Sequence, residues 1–286
     1  MALRDLLVHA DGGGHGVARV RLAAGLAARL GARLTVMHAT EPSLAQRRSL
    51  REAELGLMPA AELMALRDAV ETSGEADMQA LREALDTMPP DPAAPVEWLN
   101  VPGPAFRQVA RQARAADLTI IGHDLDEYED VAEGFSFAEA LLFSAGRPVL
   151  IVPASCAQDA VGQVVAVAWN GSRQAARAVA DALPVIECAR QVIVLTALPD
   201  RAASADPDGQ EMILANLRRH NPAVTAAVVE TAEIAAGDAL QAEALRLGAD
   251  LLVAGAYGHP RLWEKFLGGV TRELLARMRL PVLMAH

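Results

Sequence analysis

Aromatic residues and cysteine are scarce in this sequence, and both absences narrow the class of protein. Aromatic side chains make up 3% of the 286 residues, while apolar residues as a whole make up 52%. A chain this long can form one large domain or two of moderate size, and its Ala, Leu and Val suit helices packed on a buried sheet. Cys156 and Cys188 are the only cysteines and form no C-x-x-C pair, so neither a disulfide framework nor a cysteine zinc site is indicated.

Positive charge is also scarce. The formal net charge is −10 and no long run of Lys or Arg occurs, so we expect no binding to nucleic acid or to an anionic membrane. No apolar stretch reaches the ~18–20 residues of a membrane span, and the N-terminal residues lack the pattern of a signal peptide. The sequence therefore predicts a cytoplasmic protein.

Common catalytic motifs are absent as well. The sequence contains neither a G-x-S-x-G elbow nor a G-x-x-x-x-G-K-[ST] P-loop, and its 7 histidines show no spacing typical of metal ligands. No nucleophile–base pair or pair of catalytic carboxylates is evident. These absences predict a binding or regulatory protein, with no metal site and at most weak ATPase activity.

What the sequence does contain is an internal repeat. The two halves close on similar segments, GRPVLIVP and RLPVLMAH, and the segment Ala115–Asp124 resembles Gly248–Tyr257. A repeat period of roughly 140 residues is too long for a solenoid and is typical of a duplicated domain. We therefore predict two domains, at residues 1–155 and 161–286.

Each half predicts the same order of elements. Short apolar or β-branched runs alternate with amphipathic helical segments, which indicates parallel βαβ units with helices on both faces of an open sheet. The predicted fold class is α/β, with two tandem open five-stranded parallel sheets flanked by helices. The predicted strands are Leu6–Ala10, Arg33–His38, Val96–Asn100, Leu118–Gly122, Val149–Val152, Val164–Ala168, Val192–Thr196, Ala226–Val229, Leu251–Ala254 and Val282–Met284.

Four glycines of the second half flank the end of a predicted strand and the start of a predicted helix: Gly255, Gly258, Gly268 and Gly269. Glycine weakens regular structure by ~0.5–1 kcal/mol per interior position, so its use at these two places indicates a close approach to the backbone. Ligands bind at the carboxyl ends of parallel strands, and unpaired N–H groups at a helix start bind anions. The segment Gly255–Thr271, the glycine loop, therefore suits a polyphosphate. A tight turn with close helix packing is the structural alternative.

The spacing Gly255-x2-Gly258-x9-Gly268 resembles the nucleotide-binding signature of the universal stress protein family, which is G-x2-G-x9-G followed by Ser or Thr. With the preceding strand, the following helix and the closing PVL strand, the chain is identified as a tandem member of that family, with adenine nucleotide alpha hydrolase-like domains. The resemblance implies a triphosphate held in the glycine loop. It also implies a stress-response regulatory role, with ATP or AMP as ligand and Mg²⁺ as an optional companion of the nucleotide. The alternatives are a slow ATPase or nucleotidyl enzyme and a ligand-free interaction scaffold.

Carried over position by position, the resemblance assigns nucleotide contacts in the second half. Gly269 stands where the family has Ser or Thr, which removes a hydroxyl donor worth ~0.5–1.5 kcal/mol, and Thr271 would compensate in part. Asn170 stands at the family's ribose-binding aspartate, and Ala197 would offer its backbone to adenine. Helix capping by Asn170 and Ser172 is an equally good interpretation. The predicted nucleotide-binding residues are Asn170, Ala197, Gly255, Gly258, Gly268, Gly269, Val270 and Thr271.

The first half departs from the signature. Leu125 replaces the second glycine, although Gly122 and Gly134 remain and Asp11 keeps the family's acidic residue. The loop carries no Lys or Arg, so it would repel phosphate. It lacks the glycine and the closing glutamate of a calcium loop, which favours a solvated acidic face over a metal site. Its acidic residues are Asp124, Asp126, Glu127, Glu129, Asp130 and Glu133.

Two further segments concern assembly. The closing strands, Val149–Val152 and Val282–Met284, are apolar and would lie at sheet edges. Exposed apolar edges are a hazard, and family dimers commonly pair through these strands. We therefore predict that the two halves pair within the chain, and we leave a homodimer of the whole chain open. Residues 44–85 predict an additional or extended helix, which either covers a surface or contacts a partner.

Overall fold

Helices and strands alternate along the chain, as the pattern of apolar runs predicts. A computed structural model describes residues 2–42, 44–88, 95–123, 135–156, 158–198, 207–231, 234–257 and 269–286. The strands within those ranges are β1 (Asp5–His9), β2 (Arg33–Thr40), β3 (Val96–Pro102), β4 (Leu118–Gly122), β5 (Val149–Val152), β6 (Val164–Ala168), β7 (Gln191–Leu198), β8 (Val224–Glu230), β9 (Leu251–Gly255) and β10 (Val282–Ala285). The helices are α1 (Gly14–Leu30), α2 (Leu44–Glu54), α3 (Ala60–Asp86), α4 (Ala105–Ala113), α5 (Phe137–Ala145), α6 (Arg173–Glu187), α7 (Pro207–Leu217), α8 (Ala236–Arg246) and α9 (Gly269–Ala276).

The predicted strands are all present, and β4, β5 and β6 have their predicted bounds. These three are short and almost wholly buried, so the apolar run and the strand coincide. β2 and β3 extend further than predicted, to Thr40 and Pro102. Their ladder continues past the apolar residues, with Ala39 opposite Val101. Strand ends are therefore set by backbone pairing that the side-chain pattern does not reveal.

The sheet has the same strand order in both halves. The full order is β3-β2-β1-β4-β5-β10-β9-β6-β7-β8, so the first-half order 3-2-1-4-5 recurs as 8-7-6-9-10. Pairing within each half is parallel. This confirms the predicted α/β class with a parallel sheet flanked by helices.

The two halves meet through their closing strands. β10 pairs with β5 in antiparallel register, with Leu283 opposite Leu150 and Val282 opposite Ile151. Both strands are buried along their whole length. The predicted pairing within the chain is confirmed, and it converts two sheets into one of ten strands.

Helices cover both faces of the sheet. Buried side chains of α1, α3, α6 and α7 form one core with strand residues such as Leu6 and Val8, and those of α4, α5, α8 and α9 form the other with Leu7. Successive strand residues thus enter opposite cores, as strand geometry requires. This layering leaves the carboxyl ends of the strands as the edge where loops gather.

Residues 44–85, whose role the sequence leaves open, fold as two helices, α2 and α3. The carboxyl-terminal part of α3 buries Gly74, Met78, Leu81 and Ala84. It packs on α1 and β2. Covering a surface of the first half is therefore one role of this segment.

Among the described helices, none combines the length and the apolar character that a membrane span needs.

The fragment Gly162–His286 should self-associate when it is expressed without the first half. It would expose the apolar edge of β10, which β5 covers in the intact chain, and such an edge recruits another strand. We expect a dimer in analytical ultracentrifugation. A well-folded monomer at high concentration would show that this edge needs no partner.

Candidate functional site

The predicted site residues of the second half lie at the carboxyl edge of its sheet. Asn170 follows β6, Gly255 closes the neighbouring strand β9, and Ala197 lies near the end of β7. From β6 the strand order runs outward through β7 and β8, and β9 lies on the other side. In open parallel sheets, such a reversal of strand order leaves a crevice in which ligands bind.

The start of α9 completes this edge. Gly269 and Val270 are exposed in its first turn, whereas Thr271 is only 4% exposed. The Thr271 Oγ1 accepts a 3.2 Å hydrogen bond from the backbone N–H of Tyr257. Thr271 therefore ties the exit of the glycine loop to its entrance. Gly258 and Gly268 lie outside the described residues.

Gly255 and Gly269 differ in what surrounds them. A Cβ on Gly255 would lie 2.4 Å from the backbone nitrogen of Ala175 and 2.5 Å from the carbonyl carbon of Gln174, in the first turn of α6. Close packing on α6 therefore accounts for glycine at 255. Among the described residues, a Cβ on Gly269 would meet only the Glu273 Oε1, at 3.5 Å. Packing against the described residues therefore does not account for glycine at 269, and the phosphate contacts of both glycines stay predictions.

Asn170 and Ser172 shape the turn from β6 into α6. The Ser172 Oγ accepts from the Ala175 N–H over 3.1 Å and caps α6. The Asn170 Oδ1 accepts from the Ser172 N–H over 3.1 Å. Both residues therefore stabilise this turn, Ser172 as the cap of α6 and Asn170 through its bond to the Ser172 N–H. Asn170 is also exposed, and the carboxamide nitrogen donates to no described residue, so it can serve a ligand as well.

The same edge of the first half is covered by α3. By register, Asp11, Gly12 and β1 correspond to Asn170, Gly171 and β6. A Cβ on Gly12 would lie 2.7 Å from the Asp77 Cα of α3. A Cβ on Gly171 would have no neighbour within 4 Å among the described residues. The two halves therefore differ at the position next to the predicted ribose-binding residue.

Other contacts also occupy this edge of the first half. The Asp11 Oδ2 lies 3.6 Å from the Nη2 of the buried Arg19. His38, at the end of β2, makes a 3.1 Å hydrogen bond from its Nδ1 to the Ala10 carbonyl and has its Nε2 3.7 Å from the Asp77 Oδ2. The acidic side chain that resembles the family residue is thus engaged inside the protein. The acidic loop 124–134 lies outside the described residues, among which no group of three or more His, Cys, Asp or Glu side chains could hold a metal.

The second half matches a known family. Residues 155–286 fit the model of the universal stress protein family, and this range contains the strand–glycine loop–helix segment. The second half of the chain is therefore a universal stress protein domain. No curated protein sequence matches the chain.

Solved structures extend the likeness in fold to the whole chain. A universal stress protein from Archaeoglobus fulgidus DSM 4304 is 15% identical with a TM-score of 0.68, and the match covers 99% of this chain and 96% of that one. A protein of unknown function from Pseudomonas aeruginosa PAO1 is 17% identical with a TM-score of 0.56, over 99% and 92% of the two chains. The match to both structures thus includes the first half.

Side chains of the first half contact the universal stress protein domain close to its glycine loop. The ring of Tyr257 lies 4.6 Å from that of Phe143 in α5, and its hydroxyl donates to the Glu139 Oε1 over 2.6 Å. The His123 Nε2 donates to the Leu275 carbonyl in α9. Sequence reasoning missed these residues. Only the Ser136–Glu139 capping box, which starts α5, has a local signature that could have pointed to one of them.

Gly255→Ala should destabilise this protein, whereas Gly269→Ala should not. The first change forces a Cβ into the backbone of α6, which costs about 1–3 kcal/mol as overpacking does elsewhere. The second adds a methyl group that meets only the end of the Glu273 side chain among the described residues, at van der Waals distance, and leaves stability unchanged or slightly raised. Urea denaturation of both variants measures the difference. Equal losses would contradict the packing argument.

Tyr257 should ionise well above the ordinary tyrosine range. Burial, and then the hydrogen bond to Glu139, raise the pKa of its phenol. A raised folded-state pKa means that this stabilisation is present below the unfolded value of about 10 and is lost as the pH rises through the folded value. Titration of phenolate absorbance should show a late phase that Tyr257→Phe lacks. A Tyr257 that titrates normally in the folded protein would contradict the contact.

Proposed function

We propose that this universal stress protein is a stress-response regulator that binds one adenine nucleotide, ATP or AMP, at the carboxyl edge of its second half. The observation that carries the proposal is the contrast between Gly12 and Gly171. Asp77 of α3 lies against the first, and no described atom lies within 4 Å of a Cβ on the second. Family membership of residues 155–286 supports the choice of ligand class.

Different residues at this edge would contact the phosphates, the ribose and the adenine. Exposed N–H groups of Gly269 and Val270, at a helix start, suit phosphate oxygens. The Asn170 carboxamide suits a ribose hydroxyl, and the backbone of Ala197 suits adenine. Because Asn170 is neutral, its bond to ribose lacks the charge assistance that an aspartate would give. Gly258 and Gly268 complete the phosphate contacts in this proposal.

Charge in the two corresponding loops supports the same choice. The sequence between Gly258 and Gly268 holds two cations, Arg261 and Lys265, the only lysine of the chain, and one carboxylate, Glu264. The loop 124–134 holds six carboxylates and no cation. Like charges a few Å apart repel by about 1 kcal/mol per pair even in water. A triphosphate is therefore favoured at the second loop and disfavoured at the first.

Binding is proposed rather than hydrolysis as the main activity. Phosphoryl transfer needs a residue that orients the attacking water, besides groups that neutralise the phosphates. Of the described residues assigned to the site, those with polar side chains are Asn170 and Thr271, and the Thr271 hydroxyl already accepts a hydrogen bond from the Tyr257 N–H. A nucleotide bound there would be held rather than rapidly turned over, with Mg²⁺ accompanying it where a triphosphate is bound.

Titration calorimetry with ATP and AMP, with and without Mg²⁺, should give about one site per chain. Gly269→Val should weaken binding tenfold or more without lowering the thermal midpoint, because its side chain blocks the approach to the helix start. Gly14→Val is the matched control, since Gly14 is also an exposed first residue of a helix, and no described atom lies within 4 Å of a Cβ at this position. It should leave binding unchanged.

Four results would change this conclusion. Two equal sites would show that the first half binds a nucleotide as well, and weakening by Gly14→Val but not by Gly269→Val would move the nucleotide to the first half. Phosphate release that Gly258→Val abolishes would establish the slow ATPase. If ATP and AMP produce no heat of binding and native mass spectra show no bound nucleotide, the protein is a ligand-free interaction scaffold.

A further inference from the structure

Both ends of the glycine loop contact one carboxylate of the other half. At the entrance, the Tyr257 hydroxyl donates to the Glu139 Oε1 over 2.6 Å. At the exit, the Arg272 Nε lies 3.5 Å from the same oxygen. Glu139 belongs to α5 of the first half and is 6% exposed. A single buried acid therefore reaches the residue before Gly258 and the residue after Thr271.

Glu139 is itself held in place. Its second oxygen, Oε2, accepts a 2.8 Å hydrogen bond from the Ser136 N–H, and the Ser136 Oγ accepts from the Glu139 N–H. The backbone N–H of Ser136 thus holds the carboxylate at the start of α5, whereas the Ser136 hydroxyl caps only the helix backbone. A buried carboxylate needs hydrogen bonds to offset its lost hydration. Glu139 obtains them from its own helix and from Tyr257, with Arg272 as a nearby countercharge.

The backbone of Tyr257 needs such support. Its φ is 55°, and it is the one described residue other than glycine with a positive φ. That conformation is unfavourable for a residue with a side chain. It is held from two directions, by the bond from its N–H to the Thr271 Oγ1 and by the bond from its hydroxyl to Glu139. The direction in which the chain enters the glycine loop therefore depends on both contacts.

We propose that Glu139 of the first half is a positioning residue for nucleotide binding by the second half. It fixes Tyr257 and Arg272 on either side of the glycine loop, and through Arg272 the start of α9, where Gly269 and Val270 present their backbone N–H groups to phosphate. The inference rests on the proposed adenine-nucleotide site. It gives the first half a function in binding, even though that half lacks the glycine spacing.

Tyr257→Phe in the full chain is the primary test. It removes the hydroxyl and keeps the ring that packs on Phe143. We expect ATP affinity in titration calorimetry to fall about tenfold or more, the range of one lost hydrogen bond to a charged group. Glu139→Ala releases both ends of the loop and should weaken binding more than Tyr257→Phe does.

Ser136→Ala is the matched control. It removes the hydroxyl that caps α5 and destabilises that helix, but it leaves the Tyr257–Glu139 bond in place. Its thermal midpoint should fall while its ATP affinity stays at the wild-type value. If Ser136→Ala weakens binding as much as Tyr257→Phe, the contact acts only through stability and the proposal is wrong.

Hydrogen exchange of the unliganded protein separates this inference from the proposed function. In Tyr257→Phe, but not in Ser136→Ala, amides in peptides covering residues 255–276 should exchange faster. If the wild-type protein binds no nucleotide, but exchange is faster in Tyr257→Phe and not in Ser136→Ala, Glu139 still positions the loop. Only the proposed ligand is then wrong. If wild-type protein binds ATP, but Tyr257→Phe leaves both affinity and exchange unchanged, the positioning role is overturned while the site stands.

Discussion

The antiparallel contact between β5 and β10 determines the arrangement of everything else in this molecule. Each strand lies at the edge of a parallel sheet and is apolar, and an exposed apolar edge strand tends to pair with another chain. Their pairing places Leu150 opposite Leu283 and Val149 opposite Met284. It also brings α5 beside α9, because each helix leads into the closing strand of its half. The contact of Glu139 with Tyr257 and Arg272 is possible only in this arrangement.

The two halves share a fold, but the carboxyl edges of their sheets differ in what covers them. Both halves have the strand order that creates a crevice beside their first strand. In the first half, α3 lies across that crevice, and Asp77 approaches both Gly12 and His38. In the second half, no described atom lies within 4 Å of a Cβ at the equivalent turn residue, Gly171. The strand order that both halves share determines where a ligand can bind. The segments between the strands determine which half binds it.

The sequence predicts the strands, their parallel order and the pairing of the closing strands because each of these depends on local apolar pattern or on repetition. It does not predict the position of α3, since an amphipathic helix shows that a face is buried but not which neighbour buries it. The Tyr257–Glu139 bond spans 118 positions along the chain and has no local signature. Gly255 illustrates the reverse case. Its motif points to phosphate, while the structure shows that packing on α6 alone requires glycine there.

Among the described residues, α3 is 27 residues long, whereas α7, which also lies between the second and third strands of its half, is 11 residues long. This difference has a consequence for how such a chain can diversify. In a symmetric homodimer every substitution or insertion appears in both subunits, so a helix that covers one crevice covers the other as well. Covalent linkage of the two halves removes that restriction. One crevice can be covered and its half specialised for support, while the other keeps an open edge, and the shared β5–β10 interface remains intact throughout.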